Sequence, residues 1–227
     1  MRLPSTIIVT SLLALAVVAA PRGAQTPLGG GTIRGRVSVP DQTLVAPRPS
    51  VAGLAGPAHV PVDRRRVVVY LDPTPVLTVF PKTPTRARMD QRDEQFMPRI
   101  LAITTGSIVE FPNNDTTFHN VFSLSRARTF DLGRYPPGKN GAIRFDRPGV
   151  VPVFCDIHSH MSAYILVFDH PFFAVSDTSG RYAIHDVPAG TYVLSVWSEL
   201  GRAEPRRIAV GADATVEADM DVSGDAR

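Results

Sequence analysis

The residues best suited to chemistry lie in one short stretch, FCDIHSHM, at positions 154–161. It contains Cys155, the only cysteine of the 227 residues, followed by His158, His160 and Met161. A thiolate, an imidazole and a thioether within seven residues form a soft ligand set that is suited to copper. Short clusters of cysteine and histidine also bind zinc, so the stretch by itself leaves the identity of the metal open.

The first 24 residues have the pattern of a segment that directs export. Arg2 is followed by an apolar run from Ile7 to Ala20 and then by small residues. A membrane span needs about 20 apolar residues, whereas this shorter run fits a secretory signal peptide. We therefore expect residues 1–24 to be a cleaved signal peptide, with a periplasmic or secreted mature chain that has no membrane span. An uncleaved anchor is the alternative.

A lone cysteine is informative in an exported protein. Cys155 has no second cysteine with which to form an internal disulfide. A free thiol in an oxidising compartment is protected when it is buried or when it binds a metal. The sequence therefore allows either an inert buried cysteine or a metal ligand at this position.

The charge of the chain gives no reason to expect a nucleic-acid partner. The formal net charge is +3, and without residues 1–24 the chain has 22 basic against 21 acidic residues. The two short basic clusters, at 64–66 and 206–207, are typical of solvated faces or strand edges.

Beyond residue 24, short apolar or alternating segments separated by turn residues predict an all-β chain without helices. The strands predicted before the ligand stretch are 31–40, 66–71, 87–91, 99–104, 107–111, 118–123 and 142–145. Those predicted from the ligand stretch onwards are 151–155, 164–169, 173–176, 181–185, 190–199, 206–210 and 215–222. We expect residues 41–62 to form a long loop and residues 129–137 to be irregular.

Residues from about 87 to 168 resemble the plastocyanin-like cupredoxins, the small blue-copper domains. Three segments carry the resemblance: FMPRILAITTGSIVEFPNND (96–115), FHNVF (118–122) and GVVPVFCDIHSHMSAYILV (149–167). The resemblance implies a Greek-key β-sandwich, which we assign to residues 86–169.

The same resemblance implies one type 1 copper site with the ligands His119, Cys155, His158 and Met161. Two imidazoles and a thiolate form a trigonal plane in such sites, and the thioether adds a weak axial bond. Asn120, beside the first ligand, is expected to hydrogen-bond across to the ligand loop.

His160 departs from the family pattern, in which a proline is more usual between the second histidine and the methionine. One interpretation is that His160 is an exposed loop residue. The alternative is that His160 ligates the metal in place of His158 or Met161, which changes the type of site. The remaining histidines, His59, His170 and His185, are expected to be surface or packing residues.

The C-terminal segment FFAVSDTSGRYAIHDVPAGTYVLSVWSE resembles the carboxypeptidase regulatory-like domain, a transthyretin-like β-sandwich. In that family a G-x-I-x-G-x-V strand and a second apolar strand come first, and both patterns occur here far upstream, at 31–37 and 66–71. We therefore hypothesise a second, smaller β-sandwich made of residues 30–80 and 170–227, with the cupredoxin inserted between them. The alternative is three sequential pieces.

We expect an exported one-electron carrier with an unidentified redox partner protein, and not an enzyme, because a fully ligated copper ion leaves no open position for substrate. His158 is the expected electron exit, with Phe118, Ser159 and Ala163 as the docking rim and Phe154 packed beneath the site. The alternatives are a copper chaperone or sensor without redox cycling, and an interaction module for a surface complex or polysaccharide.

Overall fold

The computed structural model describes residues 29–40, 63–72 and 84–223. Within these ranges the chain forms nineteen β-strands and no helix, which confirms the all-β prediction. No helix capable of crossing a membrane occurs among these residues. The predicted signal peptide at 1–24, the predicted loop at 41–62 and His59 lie outside the described ranges.

The strands are short and are separated by turns. The first ten are β1 (Gly31–Ser38), β2 (Val68–Leu71), β3 (Arg86–Arg88), β4 (Asp90–Arg92), β5 (Gln95–Met97), β6 (Ile100–Thr104), β7 (Ser107–Pro112), β8 (His119–Leu124), β9 (Thr129–Tyr135) and β10 (Asn140–Phe145). The others are β11 (Gly149–Phe154), β12 (Ser162–Phe168), β13 (Phe173–Val175), β14 (Arg181–Val187), β15 (Gly190–Trp197), β16 (Arg202–Ala203), β17 (Arg206–Val210), β18 (Thr215–Glu217) and β19 (Met220–Ser223).

A nine-stranded sheet joins the two ends of the described chain. Its order is β13-β2-β15-β16-β19-β1-β14, with β17 added to β15 and β18 to β1. β2 pairs with β13 and β15, and β1 pairs with β14, β18 and β19. The two upstream strands therefore hydrogen-bond to the C-terminal strands, as the hypothesised insertion requires. The domain boundaries themselves stay a prediction.

The central part of the chain forms a sandwich of two sheets and a hairpin. One sheet has the order β6-β12-β11-β8-β9, the other has the order β10-β7-β3, and β4 and β5 form the hairpin. Phe111 and Phe145 from the three-stranded sheet share one buried cluster with Val121, Val151 and Val153 from the five-stranded sheet. This cluster is the core on which the candidate site is built.

Two strands have apolar side chains on both faces and connect the two parts of the molecule. In β2, Val69 and Leu71 belong to the core of the nine-stranded sheet, whereas Val68 packs in a third cluster. In β12, Ile165 lies in the sandwich core while Leu166 joins Val68 in the third cluster. Continuous apolar runs are typical of strands buried on both faces, and RVVVYL is such a run.

The structure corrects several of the predicted strands, and the predicted strand 87–91 is divided at Met89 into β3 and β4. The segment 129–137 was expected to be irregular, but Thr129–Tyr135 forms β9 and pairs with β8. Phe130 and Leu132 alternate with polar residues as in a strand, but Gly133 interrupts this alternation. Hydrogen bonds to β8 stabilise the strand that the local pattern only weakly indicates. The predicted strand 215–222 is divided into β18 and β19 at Ala218 and Asp219.

Candidate metal centre

Neighbouring strands of the five-stranded sheet bring the predicted ligands together. His119 is the first residue of β8, and Cys155 directly follows β11, which pairs with β8 at Phe154 and Phe122. The Nδ1 atom of His119 lies 3.1 Å from the Nδ1 atom of His158 and 4.0 Å from the Sγ atom of Cys155. The three donor atoms all lie within 4.8 Å of one another.

This spacing fits a single metal ion. Nitrogen and sulfur donors bind metals such as zinc at about 2.0 to 2.3 Å, so donors that share one ion lie roughly 3 to 4 Å apart. His119 is fully buried, Cys155 is 5% exposed and the side chain of His158 is 19% exposed. The donor set therefore faces a protected interior position that is covered on one side by the imidazole of His158.

The surroundings of Cys155 favour the thiolate. Burial by itself raises the pKa of the thiol, but hydrogen bonds outweigh this effect and lower the pKa to about 6. The partners are the side chain of His119 and the backbone N–H groups of Asn120, Ile157 and His158. A thiolate is the form of cysteine that binds metals.

A carboxylate fixes the orientation of the His119 ring. The Nε2 atom of His119 lies 2.8 Å from the Oδ2 atom of Asp115. When Nε2–H donates to this carboxylate, Nδ1 retains its lone pair and faces Cys155 and His158. Burial opposes the charged form of Asp115, yet hydrogen bonds from Glu94, His119 and Thr116 keep its pKa below the usual value.

Met161 lies in the interior beside the ligand loop. It is 1% exposed and belongs to the same core cluster as Cys155. Its backbone N–H donates to the carbonyl oxygen of His158 at 2.9 Å, and its own carbonyl accepts from the Cys155 N–H at 3.4 Å. These bonds close the loop on itself. The role of the Met161 sulfur as an axial ligand stays a prediction.

His160 contacts a carboxylate and is not one of the three converging donors. Among the described residues, the group of donors within 4.8 Å contains His158 and not His160. The Nε2 atom of His160 instead lies 3.2 Å from the Oε2 atom of Glu94. The geometry thus favours the interpretation in which His158 is the ligand.

Asn120 differs in part from the expectation. Its backbone N–H lies 3.5 Å from the Cys155 Sγ atom, which is a contact with the start of the ligand loop. Its side-chain amide, however, donates to the Oδ1 atom of Asp131 at 2.7 Å. The bond across to the loop is therefore made by the backbone, and the side chain ties β8 to β9.

Two side chains near the site lie elsewhere than expected. Phe154 is 37% exposed and its ring packs against Phe122, so it does not lie beneath the site. Ala163 is fully buried, which excludes it from the surface rim, whereas Phe118 is 52% exposed as the rim requires. The alternation of strands β11 and β12 decides both positions, because successive residues face opposite sides of a sheet.

Asp115 and Glu94 are the site residues that the sequence did not predict. Asp115 lies four residues before His119, and this spacing was an available signal. Glu94 comes from the β4–β5 hairpin, whose position over the ligand loop is a matter of tertiary packing.

The other described histidines lie outside this group. His170 is buried, and its Nδ1 atom accepts the Phe172 N–H at 3.1 Å. His185 is exposed, and its Nδ1 atom is 3.4 Å from the hydroxyl of Thr32. Both contacts agree with surface or packing roles.

The sequence matches no model of a protein family and no curated protein. Its structure is similar over part of its length to solved cupredoxins. A copper-containing nitrite reductase from Thermus scotoductus is 24% identical, with a TM-score of 0.36, and the match covers 39% of this chain and 23% of that chain. A purple cupredoxin from Nitrosopumilus maritimus is 20% identical, with a TM-score of 0.33 and coverage of 36% and 98%. Amicyanin from Paracoccus versutus is 20% identical, with a TM-score of 0.34 and coverage of 40% and 95%.

Proposed function

We propose that this protein is a copper-binding electron carrier with one type 1 site. The observation that carries the proposal is the convergence of the Cys155 Sγ atom with the Nδ1 atoms of His119 and His158. A buried thiolate and two imidazoles are the planar ligands of such a site. Met161, adjacent in the core, is proposed as the weak axial ligand.

Copper held by these residues would supply one-electron chemistry by cycling between Cu(II) and Cu(I). The chain keeps the donors in place through the pairing of β8 with β11 and through the closed loop from Cys155 to Met161. Of the three donors, only the side chain of His158 has sizeable exposure, at 19%. We therefore propose His158 as the electron exit toward a partner protein, with Phe118 in the docking surface.

We further propose that the protein is not an enzyme. Four protein ligands leave no open coordination position for a substrate, in contrast to catalytic metal sites. The alternatives are a chaperone or sensor that binds copper without cycling, and an interaction module for a surface complex or polysaccharide. Reversible reduction with fast electron exchange separates the carrier from both other classes.

The direct test is the visible and electron-spin-resonance spectrum of the Cu(II) protein. We expect an intense thiolate-to-copper absorption that Cys155→Ser abolishes. A wild-type protein that takes up no copper, or that binds copper without this absorption, would contradict the proposal. Reduction and reoxidation over several cycles then tests the carrier role.

A pair of variants tests which histidine is the ligand. His158→Gly is expected to abolish the thiolate-to-copper absorption or to make it depend on added imidazole. His160→Gly is expected to keep it. The reverse result would show that His160 is the ligand and that the site is of another kind.

We also propose that the carrier is exported and has the inserted arrangement of domains. Residues 1–24 have the pattern of a signal peptide. The pairing of β2 with β13 and β15 supports an outer sandwich of residues 30–80 and 170–227 around a cupredoxin of residues 86–169. Mass spectrometry of the mature protein after expression with its own N-terminus tests the first point.

A further inference from the structure

The β4–β5 hairpin has an unusual tip. Asp93 and Glu94 connect its two strands, and both have positive φ angles, of 50° and 52°. Two-residue hairpin turns of this kind favour Asn-Gly or Asp-Gly, because side chains other than those of Gly, Asn and Asp are strained there. The conformation of Glu94 therefore depends on contacts outside the hairpin.

Those contacts attach the hairpin to the turn that precedes His119. The Asn114 N–H donates to the Gln91 carbonyl oxygen at 3.0 Å, and the Asn114 side-chain amide donates to the Asp90 Oδ1 atom at 2.8 Å. The Glu94 N–H donates to the Oδ2 atom of Asp115 at 2.7 Å. This is the same carboxylate oxygen that the Nε2 atom of His119 approaches.

The side chain of Glu94 extends to the ligand loop on the other side. Its Oε2 atom is 3.2 Å from the Nε2 atom of His160, and its Oε1 atom is 3.7 Å from the Nε2 atom of His158. The backbone of Glu94 thus contacts Asp115, which orients His119, and its carboxylate lies near the ring of His158.

We propose that Glu94 is a positioning residue of the metal centre. Glu94 holds His158 and the ligand loop in place, and its negative charge, together with that of Asp115, favours Cu(II) over Cu(I). The inference rests on the proposed copper function. Asp115 is within hydrogen-bond distance of Nε2 of His119, and the Glu94 carboxylate lies 3.7 Å from Nε2 of His158, so the Nδ1 atom of each ring is left for the metal. Two fixed negative charges stabilise the more highly charged oxidised ion.

The positive charge of Arg134 does not cancel this effect. Arg134 interacts electrostatically with Cys155, but its guanidinium is paired with Asp156, with its Nη2 atom 2.9 Å from Oδ2. The side chain of Arg134 is 63% exposed, whereas the side chains of Glu94 and Asp115 are 34% and 9% exposed. Buried or half-buried charges are screened less by water and salt than exposed ones.

The test compares Glu94→Gln with Asp93→Asn in the full chain. Both variants remove one carboxylate from the same turn, but Asp93 is exposed and makes none of the contacts described for Glu94. For Glu94→Gln we expect the ratio of Cu(II) to Cu(I) association constants to fall about tenfold, and the reduction potential to rise accordingly. For Asp93→Asn we expect both to stay close to wild type.

Hydrogen exchange of the metal-free protein provides a second readout. The Met161 N–H, which donates to His158, should exchange faster in Glu94→Gln than in Asp93→Asn if Glu94 holds the loop. Equal exchange in the two variants overturns the positioning role, and an unchanged affinity ratio overturns the electrostatic one. If the wild-type protein lacks the thiolate-to-copper absorption, the proposed function and the electrostatic role of Glu94 are both overturned. Hydrogen exchange of the metal-free protein then still tests the positioning role.

Discussion

The Nε2 atom of His119 lies 2.8 Å from the Oδ2 atom of Asp115, and the two side chains are 0% and 9% exposed. This contact directs the other ring nitrogen, Nδ1, toward Cys155 and His158. A buried carboxylate that orients a ligand histidine also makes the imidazole a better donor.

Replacement of this carboxylate should weaken copper binding. Asp115→Asn keeps the size of the side chain but removes its charge and one of the acceptors that serve His119, Glu94 and Thr116. We expect a loss of copper affinity of about 10- to 100-fold, measured by competition with a chelator of known affinity. Asp146→Asn, at an exposed carboxylate paired with Arg144, is the control. Equal affinities in the two variants would show that Asp115 has no such role.

A half-buried ion pair connects the two parts of the molecule. The guanidinium of Arg99 forms two bonds with the carboxylate of Glu199, of 2.7 and 2.6 Å, and the side chains are 13% and 5% exposed. Glu199→Gln leaves Arg99 without its charged partner, and we expect a loss of about 3 kcal/mol in the free energy of unfolding.

The matched control is Glu217→Gln, whose partner Arg34 and own side chain are 60% and 63% exposed. An exposed pair of this kind contributes about 1 kcal/mol or less. Denaturant titration of both variants gives the comparison. A loss at Glu199 no larger than that at Glu217 would mean that solvent compensates the Arg99 charge.

Gly35 is required by a close approach between β1 and the segment that divides β18 from β19. A Cβ atom at this position would lie 2.3 Å from the carbonyl oxygen of Ala218, which is backbone and has little freedom to move. We expect Gly35→Ala to destabilise the protein by about 1 to 3 kcal/mol. At Gly211 the same addition meets only the Cβ atom of Ala214, at 3.3 Å, so Gly211→Ala should cost less. Thermal unfolding of the two variants measures the difference.

Alkaline pH should destabilise the nine-stranded sheet through Tyr182. Its hydroxyl donates to the Ala218 carbonyl oxygen, and burial raises its pKa to about 12. The pKa of Tyr182 in the folded protein exceeds its value of about 10 in the unfolded chain. The stability that this hydroxyl contributes is therefore complete below pH 10 and is lost as the pH rises towards 12.

Between pH 8 and pH 11 the loss from this one group is about 1 kcal/mol. Tyr182→Phe should be less stable than wild type at pH 8, because the Ala218 carbonyl loses its donor, and should show a smaller decrease toward pH 11. Denaturant titrations at both pH values test this. A variant with the same pH dependence as wild type would assign the effect to other groups.

Residue types and their spacing predict the chemistry of the candidate site and the class of the fold. The side chains of Cys155, His158 and Met161 determine which donor atoms are available to a metal. Because these three residues lie close together in the sequence, one loop carries all of them. Period-two alternation reports which residues can pair into strands, since it arises from the geometry of the strand itself. The apolar run in β2 likewise indicated a strand, and the structure adds that both of its faces are buried.

The contacts that connect distant segments depend on tertiary packing. His158 and His160 are chemically equal in the sequence, and only the loop conformation brings His158, and not His160, into the group with His119 and Cys155. Strand β9 and the burial of Ala163 also depend on neighbouring strands. The carboxylate of Glu94 reaches the ligand loop because the hairpin is hydrogen-bonded to the turn before His119. Such bonds join residues far apart in the chain, so no local pattern of residues encodes them.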